Sequence, residues 1–326
     1  MIIRIFKNNN PASFILLPLF AIVLFATSFI WPVSFVPQQI MPLYDLIAIP
    51  FLAFPLLAIV ITMVLTIAGA FVINYTCNKN ELLAKQSFLP ALFYIVFMSI
   101  NTSLQVLHPM LFSNFFLLLA IATLVDSYRK DYAFSNIFNA GVLITISVLF
   151  YFPSIFYYPL LYFALIIIRS FSWRDWVVAL LGILAPFAFV LTYYFWNDAL
   201  SQFINNIRSC FHFVLFTHEP LSLVEYLPVI IGALILFISI ASVFNISSNS
   251  QKSKKSIRLL FWVVFFSFCS FIIAPQNNIR YLCNLMIPFA VFAANYFLTT
   301  KKTRWSGLLF FLLIASILFQ QVYNFL

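Results

Sequence analysis

Charged residues are scarce in this chain, and their scarcity excludes a water-soluble protein. Asp, Glu, Lys and Arg make up 8% of the 326 residues, whereas 64% are hydrophobic. Soluble domains carry about 25% charged residues, because they need polar groups to cover their surface. Apolar runs long enough to cross a bilayer recur along the whole sequence. We therefore interpret residues 1–326 as a single integral membrane domain.

The sequence also has little glycine, and it lacks paired cysteines and the common catalytic motifs. Its five glycines predict few close-packed small-residue seams between helices. Its four cysteines form no CxxC pair and no metal-ligand spacing. The sequence contains no P-loop, GxGxxG, GxSxG or HExxH motif. Soluble-type nucleotide chemistry is therefore disfavoured, and the cofactor, if one is used, stays unknown.

Eleven apolar runs predict an all-α, polytopic transmembrane helix bundle of about eleven spans. The stretch from Ala140 to Ile168 is too long for one upright helix, since its length of about 44 Å exceeds a hydrocarbon core of about 30 Å. Basic residues flank both of its ends, so we predict two short helices that meet near Pro153 and Ser154. The runs fall at 13–31, 48–74, 88–106, 110–126, 139–153, 155–169, 176–195, 227–245, 259–275, 281–299 and 305–324.

The positions of lysine and arginine predict the orientation. With the N-terminus in the cytoplasm and the sides alternating, only Arg208 and Arg280 fall outside, as the positive-inside rule requires. The C-terminus then lies outside, in a multi-pass protein of the inner (cytoplasmic) membrane. The basic residues behind the net charge of +9 occur in short clusters between apolar runs, which is an orientation signal and argues against binding to nucleic acid. Membrane lipids are the expected partners. The cytoplasmic set is Arg4, Lys7, Lys79, Lys85, Arg129, Lys130, Arg169, Arg174, Lys252, Lys254, Lys255, Arg258, Lys301, Lys302 and Arg304.

One segment, near residues 198–215, has the pattern of an amphipathic helix. Its apolar residues recur at steps of three and four, and polar residues take the opposite face. Such a helix binds at the membrane interface and does not span it. We expect it to lie flat on the outer surface.

The few ionisable groups on the outer side are the candidates for chemistry, because charges near a bilayer are costly. Asp45 would act as an acid, base or cation ligand, or it would cap the second span. Arg280, with Tyr281 and Arg208, would bind phosphate or carboxylate through its planar fork. Arg280 would alternatively pair with Asp45 or bind lipid headgroups.

The outer histidines are the remaining candidates. His212 is a candidate catalytic histidine, although histidine at a membrane interface also has a structural explanation. His212, His218 and Glu219 do not match an established metal pattern, so we predict no metal site. His108 directly precedes Pro109 and is expected at a helix end.

Two segments carry a family resemblance. The opening FKNNNPASF, from Phe6 to Phe14, and the turn RSFSWRDW, from Arg169 to Trp176, are its more specific parts. With the stretch from Asn136 to Phe187, they resemble an uncharacterised family of Bacteroidota inner-membrane proteins, a domain of unknown function. The turn itself is interpreted as an anchored loop with tryptophans at the interface.

A weaker resemblance is to polytopic glycosyltransferases that use polyprenyl-phosphate sugars. The shared features are an acid in the first outer loop, here Asp45, a surface helix, here near 198–215, and Arg280-Tyr281 before Pro288. This resemblance implies a polyprenyl-phosphate-linked substrate. The short first outer loop and the lack of a second nearby carboxylate depart from the pattern.

Three functions stay open on the sequence, and it does not decide whether the protein is an enzyme. The first is a non-catalytic membrane subunit or scaffold in envelope assembly, with envelope proteins as partners. The second is an outer-leaflet enzyme that acts on a lipid-linked glycan. The third is a transporter, for which proline-bearing spans are the motivation.

Overall fold

The computed structural model describes residues 2–8, 11–33, 35, 41–47, 51, 54–130, 132–169, 171–210, 223–244, 250–272, 279–300 and 303–323. Within these residues all regular structure is helical, which confirms the all-α prediction. The α-helices are α1 Ile2–Phe6, α2 Pro11–Ile30, α3 Pro42–Ile47, α4 Pro55–Lys79, α5 Leu89–Met98, α6 Pro109–Asp126, α7 Phe134–Phe150, α8 Tyr157–Ile168, α9 Trp173–Trp196, α10 Leu200–Cys210, α11 Leu223–Phe244, α12 Gln251–Ile272, α13 Met286–Thr299 and α14 Thr303–Tyr323.

Eight helical segments are long and apolar enough to cross a membrane, so the chain is a multi-pass membrane protein. They are α2, α4, α6, α9, α12, most of α11 and of α14, and the segment Ile279–Thr299 that ends with α13. The other three predicted spans correspond to shorter apolar helices, Leu89–Met98, Phe134–Phe150 and Phe152–Ile168. The count of eleven stays a prediction.

The long apolar stretch from residue 140 to 168 divides where proline predicted a break. Helix α7 ends at Phe150, a 3-10 turn covers Phe152–Phe156, and α8 begins at Tyr157. Pro153 lies in that turn, since proline has no N–H to continue the helical ladder. The Ser113 hydroxyl of α6 lies 2.6 Å from that of Ser154 in the turn, which ties the break to a neighbouring helix.

The second span begins later than its apolar run suggested. Helix α4 starts at Pro55, where the missing N–H of proline costs nothing in the first turn. Asp45 lies in the first turn of the separate short helix α3. The expectation that Asp45 caps the second span is therefore wrong, because Phe54 is the residue before α4.

Two of the five glycines lie where α7 crosses α9. A Cβ on Gly182 would clash with the Phe138 carbonyl oxygen, and one on Gly141 would lie 2.8 Å from the Ala179 carbonyl oxygen. The Thr145 hydroxyl adds a hydrogen bond to the Ile183 carbonyl at 3.1 Å. Small residues at this crossing let the two backbones meet, as in many membrane helix pairs.

Two polar contacts that involve lysine join elements at their ends. Lys79 pairs with Asp126, joining the last turns of α4 and α6. Lys255 at the start of α12 donates to the Ile168 carbonyl at the end of α8. These basic residues all belong to the predicted cytoplasmic set. Their grouping supports the predicted alternation of sides, and the orientation itself stays a prediction.

Candidate functional site

Asp45 lies in a groove between α3 and the last turns of α9. The groove has a volume of about 260 Å³, and its far wall is formed by Phe189, Val190, Tyr193 and Tyr194. The Asp45 side chain is partly buried and makes no ion pair with any described residue. A carboxylate against aromatic rings suits a cationic or hydroxyl-rich ligand.

Arg280 lies at a different place, in a 3-10 turn, Ile279–Leu285, that leads into α13. Its Nε donates to the Ser103 carbonyl at 3.2 Å, and its guanidinium stands 4.1 Å from the centre of the Phe35 ring. It lines a cavity of about 180 Å³ with Ser28 and Gln105. These contacts hold the side chain in one place, although they also use part of its hydrogen-bonding capacity.

The predicted outer residues do not share one cavity in the described structure. The cavity at Asp45 and the cavity at Arg280 have no lining residue in common. Tyr281 packs elsewhere, with its ring stacked on Tyr151 at 5.7 Å. Arg208 is exposed on α10 and lines neither cavity. His212, with His218 and Glu219, lies outside the described residues.

His108 directly precedes α6, as predicted, and is 1% exposed. Neither ring nitrogen has a hydrogen-bond partner among the described residues. The pKa of the His108 imidazole is lowered to about 3, mainly by burial and also by the charge of Arg280, while the Leu104 backbone acts in the opposite sense. An imidazole with this pKa is neutral across the physiological pH range.

Helix α10 falls within the segment that the sequence predicted to be amphipathic. Phe203 is buried, with its ring 5.2 Å from that of Tyr194 in α9. Ile207 packs against a small apolar cluster that includes Val148 of α7. The opposite edge exposes Ser201, Asn205 and Arg208. The helix is thus fixed to the bundle by its apolar side, and residues 211–215 lie outside the described part.

The turn that begins at Arg169 is held from several directions. The Nε of Arg169 donates to the Asp175 carboxylate at 2.9 Å, and its Nη1 donates to the carbonyls of Ser127 and Lys130 at 3.0 and 2.8 Å. One guanidinium therefore joins the end of α8, the start of α9 and the loop after α6. These bonds fix the turn to the bundle, and the position of its tryptophans at the membrane interface stays a prediction.

Amide side chains inside the bundle are a feature that sequence reasoning missed. Gln105 and Gln321 both donate to the Leu24 carbonyl, at 3.0 and 2.9 Å. Asn114 accepts from the Tyr94 hydroxyl and donates to the Cys283 carbonyl at 2.9 Å. The available signal was their presence within apolar runs, where polar residues usually contact another helix. These neutral groups connect helices and present no nucleophile.

Comparison with known proteins assigns a family. The sequence model of a family of unknown function (DUF6427) matches residues 32–325. The chain belongs to this family. No curated protein and no solved structure matches. Membership of DUF6427 therefore agrees with the resemblance to a domain of unknown function, and it supplies no activity and no site residues.

Metal-binding side chains are a further class of candidate in this DUF6427 chain. Among the residues that the structure describes, no three His, Cys, Asp or Glu side chains are grouped so that they could hold a metal ion. Cys77 and Cys283 are buried without a disulfide.

Proposed function

We propose that this DUF6427 protein is a non-catalytic membrane subunit that serves as a scaffold for an assembly of the cell envelope. In this proposal it crosses the inner membrane of a Bacteroidota cell about eleven times, with its N-terminus in the cytoplasm. Helix α10 lies on the outer face and is the docking surface. The partner is an envelope protein that offers carboxylates to Arg208 and hydrogen-bonding groups to Asn205.

The observation that supports this proposal is the attachment of α10 to the bundle. Phe203 and Ile207 bury its apolar side, so the helix keeps one orientation relative to α7 and α9. Its exposed edge carries one arginine and no acid among Ser201, Asn205 and Arg208. A rigid helix with a polar edge loses little entropy when a partner binds, which favours docking.

Site-specific crosslinking tests the scaffold. A photo-reactive residue at position 205 should give one crosslinked protein that also copurifies stoichiometrically in mild detergent. Arg208→Glu should abolish that crosslink, because it replaces attraction with repulsion. The same photo-reactive residue in place of Lys254, which is exposed on α12, serves as the control and should not give that product. A purified chain that is monomeric and gives no product from position 205 would contradict the proposal.

The groove at Asp45 favours a second candidate, an outer-leaflet enzyme acting on a lipid-linked glycan. The pairing of a partly buried carboxylate with the rings of Tyr193 and Tyr194 is the specific observation behind it. Asp45→Asn keeps the shape of the side chain and removes its charge. If the protein is such an enzyme, this variant should fail to complement a deletion while its protein level stays unchanged. Full complementation would remove this candidate and leave the scaffold.

A further inference from the structure

A cavity of about 820 Å³ lies at the opposite end of the bundle from Asp45, between the ends of α6 and α8 and the start of α12. Its polar lining consists of Tyr128, Arg129, Lys130, Arg169, Gln251 and Lys255. Three separate segments of the chain supply these side chains. Four of the six carry a positive charge, and none of the described lining residues carries a negative one.

Two of the cations are held in place by the protein itself. Arg169 lines the cavity and is held by its bonds to Asp175 and to the carbonyls of Ser127 and Lys130. Lys255 donates to the Ile168 carbonyl at 3.3 Å, and its ammonium lies 5.4 Å from the centre of the Tyr128 ring. The Arg129 guanidinium lies at the same distance from that ring. Both cations therefore lie close to the Tyr128 ring, whose π-electrons attract positive charge.

The backbone at Arg129 is left-handed, as it also is at Glu81 and Asp198 just after the ends of α4 and α9. Its φ angle is 55°, in the left-handed region. Helices often end on such a residue, but it is usually glycine, because a side chain is strained there. Arg129 lines the cavity from this position, where glycine would be the usual residue.

Among the described residues, one of the four cations that line the cavity pairs with a carboxylate. Arg169 pairs with Asp175, whereas Arg129, Lys130 and Lys255 have no carboxylate of a described residue within ion-pair distance. The positive-inside rule requires basic residues on this face, and it does not require them to converge. Lys252, Lys254 and Arg258 belong to the same helix as Lys255 and do not line the cavity. Convergence is therefore a property of the site in addition to the orientation signal.

We propose that this cavity binds a phosphate group, carried by a lipid headgroup or by a soluble phosphate compound. Arg129, Lys130 and Lys255 donate to the phosphate oxygens, and Gln251 adds a neutral donor. Arginine and lysine are the residues that recognise phosphate, since they form charge-assisted bonds to its oxygens. This site is independent of the scaffold role of α10, which lies at the other end of α9.

Two experiments on the full-length protein separate the two sources of phosphate. In the first, phosphatidylcholine nanodiscs with and without phosphatidic acid are compared by native mass spectrometry of the retained lipid. In the second, the protein in neutral detergent is titrated with pyrophosphate. Preferential retention of phosphatidic acid identifies a lipid headgroup, and saturable pyrophosphate binding identifies a soluble compound. Either result should weaken as salt is added, because ionic contacts are screened.

The variants Arg129→Gly and Lys255→Gln should each weaken binding about tenfold, since each removes one charge-assisted contact. Glycine is well suited to a φ of 55°, so Arg129→Gly should fold at least as well as the parent chain. Lys254→Gln is the matched control, with the same charge change one residue from Lys255, and its binding should change less than about twofold. Failure of the parent chain to bind in both experiments would overturn the site. An equal loss in Lys254→Gln would also overturn it, because binding would then follow net charge alone.

Discussion

Gly141 in α7 and Gly182 in α9 face each other so closely that neither position has room for a methyl group. The nearest atoms to a Cβ at both positions belong to the opposing backbone, which cannot rotate away as a side chain would. Gly182→Ala and Gly141→Ala should therefore each lower the free energy of unfolding by about 1–3 kcal/mol, the usual cost of overpacking. Thermal unfolding in detergent measures this loss.

Gly307 provides the control for these two variants. It lies in α14, and a Cβ there would meet nothing within 4 Å. Gly307→Ala should be neutral or slightly stabilising, since alanine is the better helix former. If all three variants behaved alike, close approach of α7 and α9 would not be the cause.

The Arg169–Asp175 pair should contribute far more to stability than the Lys79–Asp126 pair. The side chains of Arg169 and Asp175 are 14% and 4% exposed, whereas that of Lys79 is 44% exposed. Removing one partner of a buried pair leaves an uncompensated charge, so Asp175→Asn should cost about 3 kcal/mol. Lys79→Gln breaks a pair that water screens and should cost less than about 1 kcal/mol. Chemical denaturation in the same detergent measures the free energy of unfolding of both variants. Equal decreases in the two variants would contradict the larger contribution of the Arg169–Asp175 pair.

The stability of the protein should depend on pH through His108. Its folded pKa is about 3, below the ordinary value near 6.5, so the unfolded state takes up the proton first as the pH falls. The contribution of the neutral imidazole is complete above about pH 6.5 and is lost as the pH drops from there toward 3. At pH 5 the free energy of unfolding should therefore be about 2 kcal/mol lower than it is above pH 6.5.

His108→Gln checks this prediction, because glutamine does not titrate. The melting temperatures of parent and variant are measured at pH 7.5 and pH 5. The decrease in melting temperature from pH 7.5 to pH 5 should be smaller in the variant than in the parent. An identical drop would mean that other groups set the acid sensitivity.

Cysteine labelling tests the predicted sidedness. Lys254 and Arg208 are both exposed and are assigned to opposite sides. With Cys210 and Cys269 replaced by serine, the remaining Cys77 and Cys283 are buried and should not react. A membrane-impermeant maleimide should label Arg208→Cys in intact spheroplasts and Lys254→Cys only after permeabilisation. The reverse pattern would invert the topology and the envelope role with it.

Local sequence signals predicted the helical class and several boundaries of the fold. Pro153 marked the break between α7 and α8, because proline acts on its own backbone. The three- and four-residue steps around Phe203 and Ile207 indicated α10. The start of α4 was misplaced, since Pro50 and Pro55 both offered a first helical turn and the apolar run did not distinguish them.

Contacts between distant segments were beyond the reach of the sequence. Gly141 and Gly182 are separated by a whole helix, and only packing brings them together. The same holds for Arg129 and Lys255, which gave an orientation signal as separate clusters but not a shared cavity. On the outer side, Asp45 and Arg280 belong to the same predicted face. The alternation of sides assigns a residue to a face, but it does not say where on that face the residue lies.

Helix α5 has a consequence for how the protein is made. All ten of its residues are buried, and it packs between α4 and α13. Ten residues reach about 15 Å, roughly half of the hydrocarbon thickness, so lipid alone is a poor environment for it and for the backbone that follows. Because α13 is translated some 190 residues after α5, one of the two helices that bury α5 is synthesised much later than α5 itself. Biogenesis therefore requires a temporary neighbour for α5, or its entry into the bilayer only after most of the chain has left the ribosome.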